Sequence, residues 1–288
     1  MRCVMNNLLL RIWYSKQFYF LLPLLVLLDP VTLAFAQARS PSPLVATPIN
    51  PDLIRFNNSD LPDPPGGGSE PTGRGSGGRR GCNNNSLTDT LTPLVPLTAT
   101  AQHSVRWGLT TEAHPTLWLQ TGEGFPNGAL ITLTMRDRHQ EALYRVRFPV
   151  PKQQAGIVRF AVPPSLPPLQ PNQTYIWQLS VFCNSGERSL AEASFDTPFH
   201  LMGYIQRTTV SEPMMQTLNQ AKTPLERAVI FAENGIWYDA LTLLGNQIQN
   251  DAAVAPSVMQ AWLTLLQQEQ LNPSTKVDML RCCTPQAN

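Results

Sequence analysis

The chain has 288 residues, with 21 basic and 20 acidic side chains and a formal net charge of +1. So even a balance gives no electrostatic case for nucleic acid or an anionic membrane surface as partner. The length suits one large domain or two small ones.

In chain order, the first element is a targeting segment. Arg2, Arg11 and Lys16 form a basic n-region, Phe18 to Leu28 is an apolar run of 11 residues, and Ala34-Phe35-Ala36-Gln37-Ala38 offers two overlapping A-x-A cleavage sites. That is the layout of a secretory signal peptide over residues 1–38, and the run is too short to span a bilayer comfortably. An uncleaved anchor is the other reading of the same segment. No cysteine closely follows the apolar run, so a lipid-anchored variant is not supported. Cleavage after Ala38 leaves 250 residues carrying 18 basic and 19 acidic side chains, since Arg2, Arg11, Lys16 and Asp29 are removed. No later stretch approaches the length of an apolar membrane helix. The expected product is exported, periplasmic or extracellular, with no membrane span after signal cleavage.

Cys82, Cys183, Cys282 and Cys283 remain. In an oxidising compartment separated cysteines pair. Cys82 and Cys183 are the expected disulfide, because Cys282 and Cys283 share a polar tail; two buried free thiols are the alternative. Closing a loop of about 100 residues stabilises a fold by roughly 2–5 kcal/mol in the chain-entropy picture. Cys282 and Cys283 read either as a link between two chains or as a reduced or capped pair. No C-x-x-C and no histidine at ligand spacing support a metal site.

Residues 39–81 read as a disordered linker. Prolines punctuate it from Pro41 to Pro71, and Gly66-Gly67-Gly68 leads into a run of glycines, Ser76, Arg74, Arg79 and Arg80. So little apolar surface does not offset the entropy of ordering the backbone. The segment serves as a spacer, or as a basic tether touching peptidoglycan or an acidic partner.

Over residues 82–210 the apolar period becomes two. Ile131, Leu133 and Met135 alternate with polar residues, as do Tyr144, Val146 and Phe148, then Val158, Phe160 and Val162. Tyr175, Trp177, Leu179, Val181 and Cys183 share one strand face. With 116–120, 191–195 and 203–209 added, about seven strands are expected, enough for an antiparallel β-sandwich of immunoglobulin or fibronectin type. Leu169-x-Pro171-x-x-x-Tyr175 is similar to the tyrosine corner of such sandwiches, in which the hydroxyl bonds nearby backbone.

Residues 211–270 turn helical. Thr223-Pro224-Leu225-Glu226 is a capping box, with Thr223 at the N-cap and Glu226 reaching back. That helix runs to Asn234 and stops at Gly235. A second spans about 237–249, and a third starts near Pro256. Gly235-x-x-Tyr238 followed by Asp239-Ala240-Leu241 is similar to a tetratricopeptide-type hairpin, with too few repeats for a superhelix. Residues 271–288 read as a polar tail.

The order of these features resembles a bacterial, largely cyanobacterial family, domain of unknown function 928. The carrying residues are Arg80-Gly81-Cys82, Gly108-Leu109-Thr110 with Pro115-Thr116-x-Trp118, and Gly156-Ile157-Val158 with Pro167-Pro168-Leu169. Tyr175-x-Trp177 through Cys183, Arg188-Ser189, Gly203 to Arg207 and Gly235 to Leu241 complete the pattern. Leu117 and Leu119-Gln120 stand where the family more often has aromatics. The resemblance implies an exported β-sandwich followed by helices and supplies no activity, catalytic residue or cofactor.

Chemistry is sparse. His103, His114, His139 and His200 are scattered, and no nucleophile elbow, P-loop or dinucleotide fingerprint is present. Glu123, Asp137 and Glu141 read as turn and solvent-face charges rather than a glycosidase pair. No cofactor is indicated. Candidate binding-surface residues are Trp107 and Trp118, as aromatic platforms unless they pack the core, and Arg145, Arg147 and Arg159, as an outward basic stripe. The expected function is an exported, non-enzymatic binding or adaptor module for an unknown protein or envelope polymer. A carbohydrate- or peptidoglycan-binding module is the alternative, and a hydrolase the remaining one.

Overall fold

The computed structural model describes residues 54–59, 61–62, 91–99, 104–125, 128–152, 155–183, 198–251, 253–271 and 278–286. The expected signal peptide, most of the expected linker, Cys82, His103 and the strand expected at 191–195 lie outside them. All described residues belong to one unit, Thr47–Asn288.

Alternating sequence becomes strand almost throughout. The strands are β1 (Leu91–Pro93), β2 (Leu97–Ala99), β3 (Ser104–Thr110), β4 (Thr116–Thr121), β5 (Ala129–Arg136), β6 (Ala142–Val150), β7 (Gly156–Ala161), β8 (Gln173–Phe182) and β9 (Phe199–Arg207). They form a three-stranded sheet, β1-β4-β7, and a six-stranded sheet, β2-β3-β9-β8-β5-β6. The expectation of a wholly antiparallel arrangement is corrected, because β3 and β9 run parallel. Parallel neighbours need a long crossover, and the chain from β4 to β8 supplies it. Apolar residues of both sheets share one core, where Phe148 of β6 meets Phe160 of β7 edge to face at 5.1 Å. The corner before β8 closes as its sequence implies: the Gln170 amide donates to the Tyr175 hydroxyl at 2.9 Å. Arg207 Nη1 donates to the Leu169 carbonyl at 2.6 Å beside it.

Four helices follow: α1 (Glu212–Gln220), α2 (Pro224–Glu233), α3 (Trp237–Asn250) and α4 (Pro256–Gln268). The capping box of α2 is complete, with Thr223 and Glu226 each bonding the other's backbone. Gly235, at a φ of 71°, ends that helix and lets the chain turn into α3. The α3 helix packs on β3 and β4, one strand from each sheet. Its first turn is bolted down by polar contacts: Trp237 Nε1 donates to the Leu94 carbonyl at 2.9 Å, and the Tyr238 hydroxyl takes Trp177 Nε1 at 2.8 Å. Asp239, 4 % exposed, accepts from the Thr110 hydroxyl at 2.6 Å and the Thr111 amide at 3.1 Å, and also from the Thr111 hydroxyl. Farther along, Gly245 lets α3 approach two tryptophans; a Cβ there would stand 2.6 Å from the Trp118 ring and 2.9 Å from Trp262.

Two segments depart from expectation. Residues 54–59 lie inside the stretch expected as disordered linker, yet Ile54 is 1 % exposed and Phe56 meets Trp237 edge to face at 4.9 Å. Gln268 accepts from the Phe56 amide at 2.7 Å and donates to the Ile54 carbonyl at 2.8 Å, anchoring both to the end of α4. Residues 278–286, expected as polar tail, bond the edges of both sheets. Leu280 N donates to Ile157 O of β7 at 2.8 Å, and Gln286 N donates to Arg147 O of β6 at 2.8 Å. Between those contacts Cys283 is buried, and Cys282 and Cys283 are bonded to each other. That replaces both earlier readings of the pair, a link between chains or a reduced or capped tail. Cys183 is also disulfide-bonded; Cys82, its expected partner, lies outside the described residues.

Candidate functional site

On one face of the larger sheet the side chains that point away from the core are polar rather than merely exposed. Register places them in lines across four strands. Arg147 of β6 pairs with Thr132 of β5, Thr132 with Ser180 of β8, and Ser180 with His200 of β9. Next to that line run Arg145, Thr134, Gln178 and Met202. At strand spacing the first line extends about 14 Å. One end of the face is apolar, where Leu130 pairs with Phe182. All of these side chains except Met202, with Arg136 and Pro198, line a shallow cavity of about 310 Å³.

Three features give the face its chemistry. Its floor is hydroxylic and already dry: Thr132 is 8 % exposed, Thr134 3 % and Ser180 7 %. Its cations, Arg136, Arg145 and Arg147, all come from β5 and β6, and among the described residues the lining holds no acidic side chain. Its far side is neutral. Gln178 Nε2 donates to His200 Nδ1 at 2.9 Å, and Ser180 Oγ lies 3.0 Å from the same nitrogen. With Nδ1 accepting, the ring proton sits on Nε2. Half-burial lowers the His200 pKa below its ordinary value by desolvation, which keeps the ring uncharged near neutrality.

Ser180 and His200 together superficially suggest a nucleophile and its base. Proton transfer needs a base whose lone pair is available to the hydroxyl and whose other nitrogen is held by a third group. Gln178 competes for Nδ1, and among the described residues no acidic side chain lines the cavity to orient the ring.

Of the residues singled out from sequence, Arg145 and Arg147 come together on this face. Arg159 does not join them: it lies on β7 of the smaller sheet and donates to Asn246 Oδ1 of α3 at 2.6 Å. Trp107 and Trp118 are corrected from surface to core, at 1 % and 2 % exposed. Burying a ring of that size against α3 and its neighbours stabilises more than displaying it to water. Arg136, Thr132, Thr134, Gln178, Ser180 and His200 were missed. Their signal was parity, since they occupy the strand positions between the apolar ones.

A larger cavity, about 450 Å³, lies near β1, β2 and the end of α4. Its one arginine, Arg106, donates to the carbonyls of Pro93 and Val95 at 3.3 and 3.1 Å, and Glu269 stands in the same lining. That guanidinium is held by backbone carbonyls. The perturbed carboxylate of Asp239 lines neither cavity. Among the described residues no group of three or more His, Cys, Asp or Glu is placed to hold a metal ion.

Together these features describe a two-sheet protein with a helical annex, carrying a cationic, hydroxyl-floored face on its larger sheet. The family model for the Domain of Unknown Function DUF928 matches residues 75–279, and the chain belongs to that family. No curated protein matches the chain. Among solved structures, a β-glucuronidase of Parabacteroides merdae is similar at 12 % identity, covering 55 % of this chain and 27 % of that one, with a TM-score of 0.18. The same enzyme with glycerol in its active site gives 12 % identity, 46 % and 24 % coverage and a TM-score of 0.17. The chain spans about a quarter of the length of those enzymes, and so slight a likeness carries nothing about activity.

Proposed function

We propose that the protein is an exported, non-enzymatic binding module that engages an anionic envelope component through the outer face of its larger sheet. The observation that carries this reading is the face itself: three guanidiniums beside buried hydroxyls, with no acidic side chain among the described residues that line it. Arginine presents a planar fork of donors that suits carboxylate, sulfate and phosphate oxygens alike. Export is supported by the leader-like residues 1–38 and by a use of cysteine that belongs to oxidising compartments. Within this reading Cys183 pairs with Cys82 and ties the start of the β-region to the end of β8. The two sheets are then a variant of the immunoglobulin type, with β5, β8 and β9 in one sheet and β4 and β7 in the other. Glycan binding by tryptophan platforms loses its support, because Trp107 and Trp118 are buried.

The test is co-sedimentation of the purified protein with bacterial envelope fragments, comparing wild type with an Arg145→Gln/Arg147→Gln variant. The reading expects retention to fall at least fivefold in the variant and to weaken with added salt. Equal retention of both proteins overturns it.

A further inference from the structure

Residues 278–286 carry a chemistry of their own, independent of what the outer face binds. They run between β7 and β6, each the end strand of its sheet. At the β7 end the hold is dense. Ile157 N donates to Asp278 O and Leu280 N donates back to Ile157 O, both at 2.8 Å. From α3, Gln249 Nε2 donates to Leu280 O at 3.0 Å, and Arg281 Nη2 donates to Gln249 O at 3.0 Å. Gly156 permits this approach, since a Cβ there would stand 2.6 Å from Asp278 O. At the β6 end, among the described residues, the backbone hold is the Gln286 N to Arg147 O bond.

The bonded pair Cys282–Cys283 stands between the two holds. Cys283 has a φ of 72°, a left-handed backbone that residues bearing a side chain seldom adopt. Because the bonded residues are adjacent, the bond closes a small ring that includes their own backbone. It constrains little of the unfolded chain, so its effect falls on the native turn. With the bond broken, Cys283 regains the extended and right-handed conformations of an ordinary residue, and either one re-aims residues 284–286.

The pair also offers a way in. Cys282 is only half-buried, whereas Cys283 is 6 % exposed and Cys183, in its own disulfide, 4 %. Exchange begins at the sulfur a thiolate can reach. We propose that Cys282–Cys283 is a reducible catch. Oxidised, it directs residues 284–286 onto β6. Reduced by a protein dithiol of Cys-x-x-Cys type, it frees them and uncovers the β6 edge, while residues 278–281 stay on β7 and α3. In the exchange one thiolate of the dithiol bonds Cys282 Sγ, the Cys282–Cys283 bond breaks, and Cys283 leaves as a thiolate that takes a proton from water. The second thiolate then displaces Cys282 Sγ, which is protonated in turn. Two electrons pass to the pair, and the dithiol becomes a disulfide.

The full-length protein, purified oxidised, is incubated with graded dithiothreitol and, separately, with reduced thioredoxin. Acid quenching, alkylation in denaturant and peptide mapping then report Cys282, Cys283 and Cys183 separately. Cys282 and Cys283 are expected to become alkylated at dithiol levels that leave Cys183 protected. After the dithiol is removed under argon, limiting trypsin reads the Arg281–Cys282 peptide bond, and its cleavage is expected to rise at least about fivefold on reduction, as local opening exposes it. Cys282→Ser/Cys283→Ser is expected to cleave at the reduced rate with or without dithiol. Reduction of the pair no more readily than the Cys183 bond overturns the exchange site. Unchanged cleavage after selective reduction, or a serine variant that cleaves at the oxidised rate, overturns the catch. Envelope retention through Arg145 and Arg147 is measured separately, so either reading can fail without the other.

Discussion

At Asp239 a carboxylate is taken out of water to tie the first turn of α3 to the end of β3. Burial pushes its pKa up from 3.8 to about 6, against the pull of the Thr110 and Thr111 hydrogen bonds and with a smaller push from Glu112. The folded state therefore holds this proton more tightly than the unfolded chain. Its contribution to stability is complete below pH 3.8 and is lost as pH rises through about 6. The loss amounts to about 3 kcal/mol at most. Urea midpoints measured between pH 4 and 7 are expected to fall with pH in wild type and to flatten across that window in Asp239→Asn. Parallel slopes for the two proteins would contradict the assignment. Asp239→Ala strands the Thr111 amide and both hydroxyls, and is expected to cost about 2–3 kcal/mol at pH 4, where the wild-type carboxyl is largely protonated, with the difference narrowing as pH rises, read from the same urea midpoints; an unchanged midpoint at pH 4 would show those groups finding other partners.

Among the elements, α3 is the joint between the sheets and the helices, and Gly245 is where its fit is tightest. Alanine is the better helix former by about 1 kcal/mol, yet its Cβ would collide with the Trp118 ring, which Trp262 meets at 5.6 Å. Overpacking of this kind costs about 1–3 kcal/mol, so Gly245→Ala is expected to lower the melting temperature; an increase would show that the rings can yield. Residues 278–286 are the second such element, since they cap the β6 and β7 edges. Deleting 278–288 is expected to lower the melting temperature by at least about 5 °C and to promote self-association through uncovered strands, both visible by calorimetry and size exclusion. No change in either would make the tail an ornament. The Cys282–Cys283 bond itself joins neighbours, closes almost no loop, and so constrains little of the unfolded chain.

The same elements show what the sequence makes legible. The capping box at Thr223, the stop at Gly235 and the tyrosine corner at Tyr175 are local devices, written in a few adjacent residues, and they form as read. The β3 strand and helix α1 carry the same kinds of signal in shorter form, Val105-x-Trp107-x-Leu109 and Ser211-Glu212-Pro213, and are not among the expected elements. Residues 54–59 and 278–286 are different. The first has two apolar side chains among polar ones and the second four, without a helical or strand period, and each is ordered by surfaces built elsewhere in the chain. The basic face was half visible for the same reason. Parity put Arg145 and Arg147 outward, but only register shows that Thr132, Ser180 and His200 lie in line with Arg147 while Arg159 belongs to the other sheet.

For the whole molecule, near-neutral net charge conceals an uneven surface. Trp118, Trp177, Trp237 and Trp262 join α3 and α4 to the sheets, and the outer face of the larger sheet carries hydroxyls, amides and guanidiniums. The most direct test is a photo-crosslinking comparison, with benzophenone-alanine placed singly at Phe182 on that face and at Met215, an exposed residue of α1. Incubated with envelope fragments, the protein labelled at Phe182 is expected to crosslink strongly and that at Met215 weakly or not at all, with the Phe182 signal suppressed by salt. Crosslinking from Met215 with none from Phe182 would place the working surface on the helices and contradict the account.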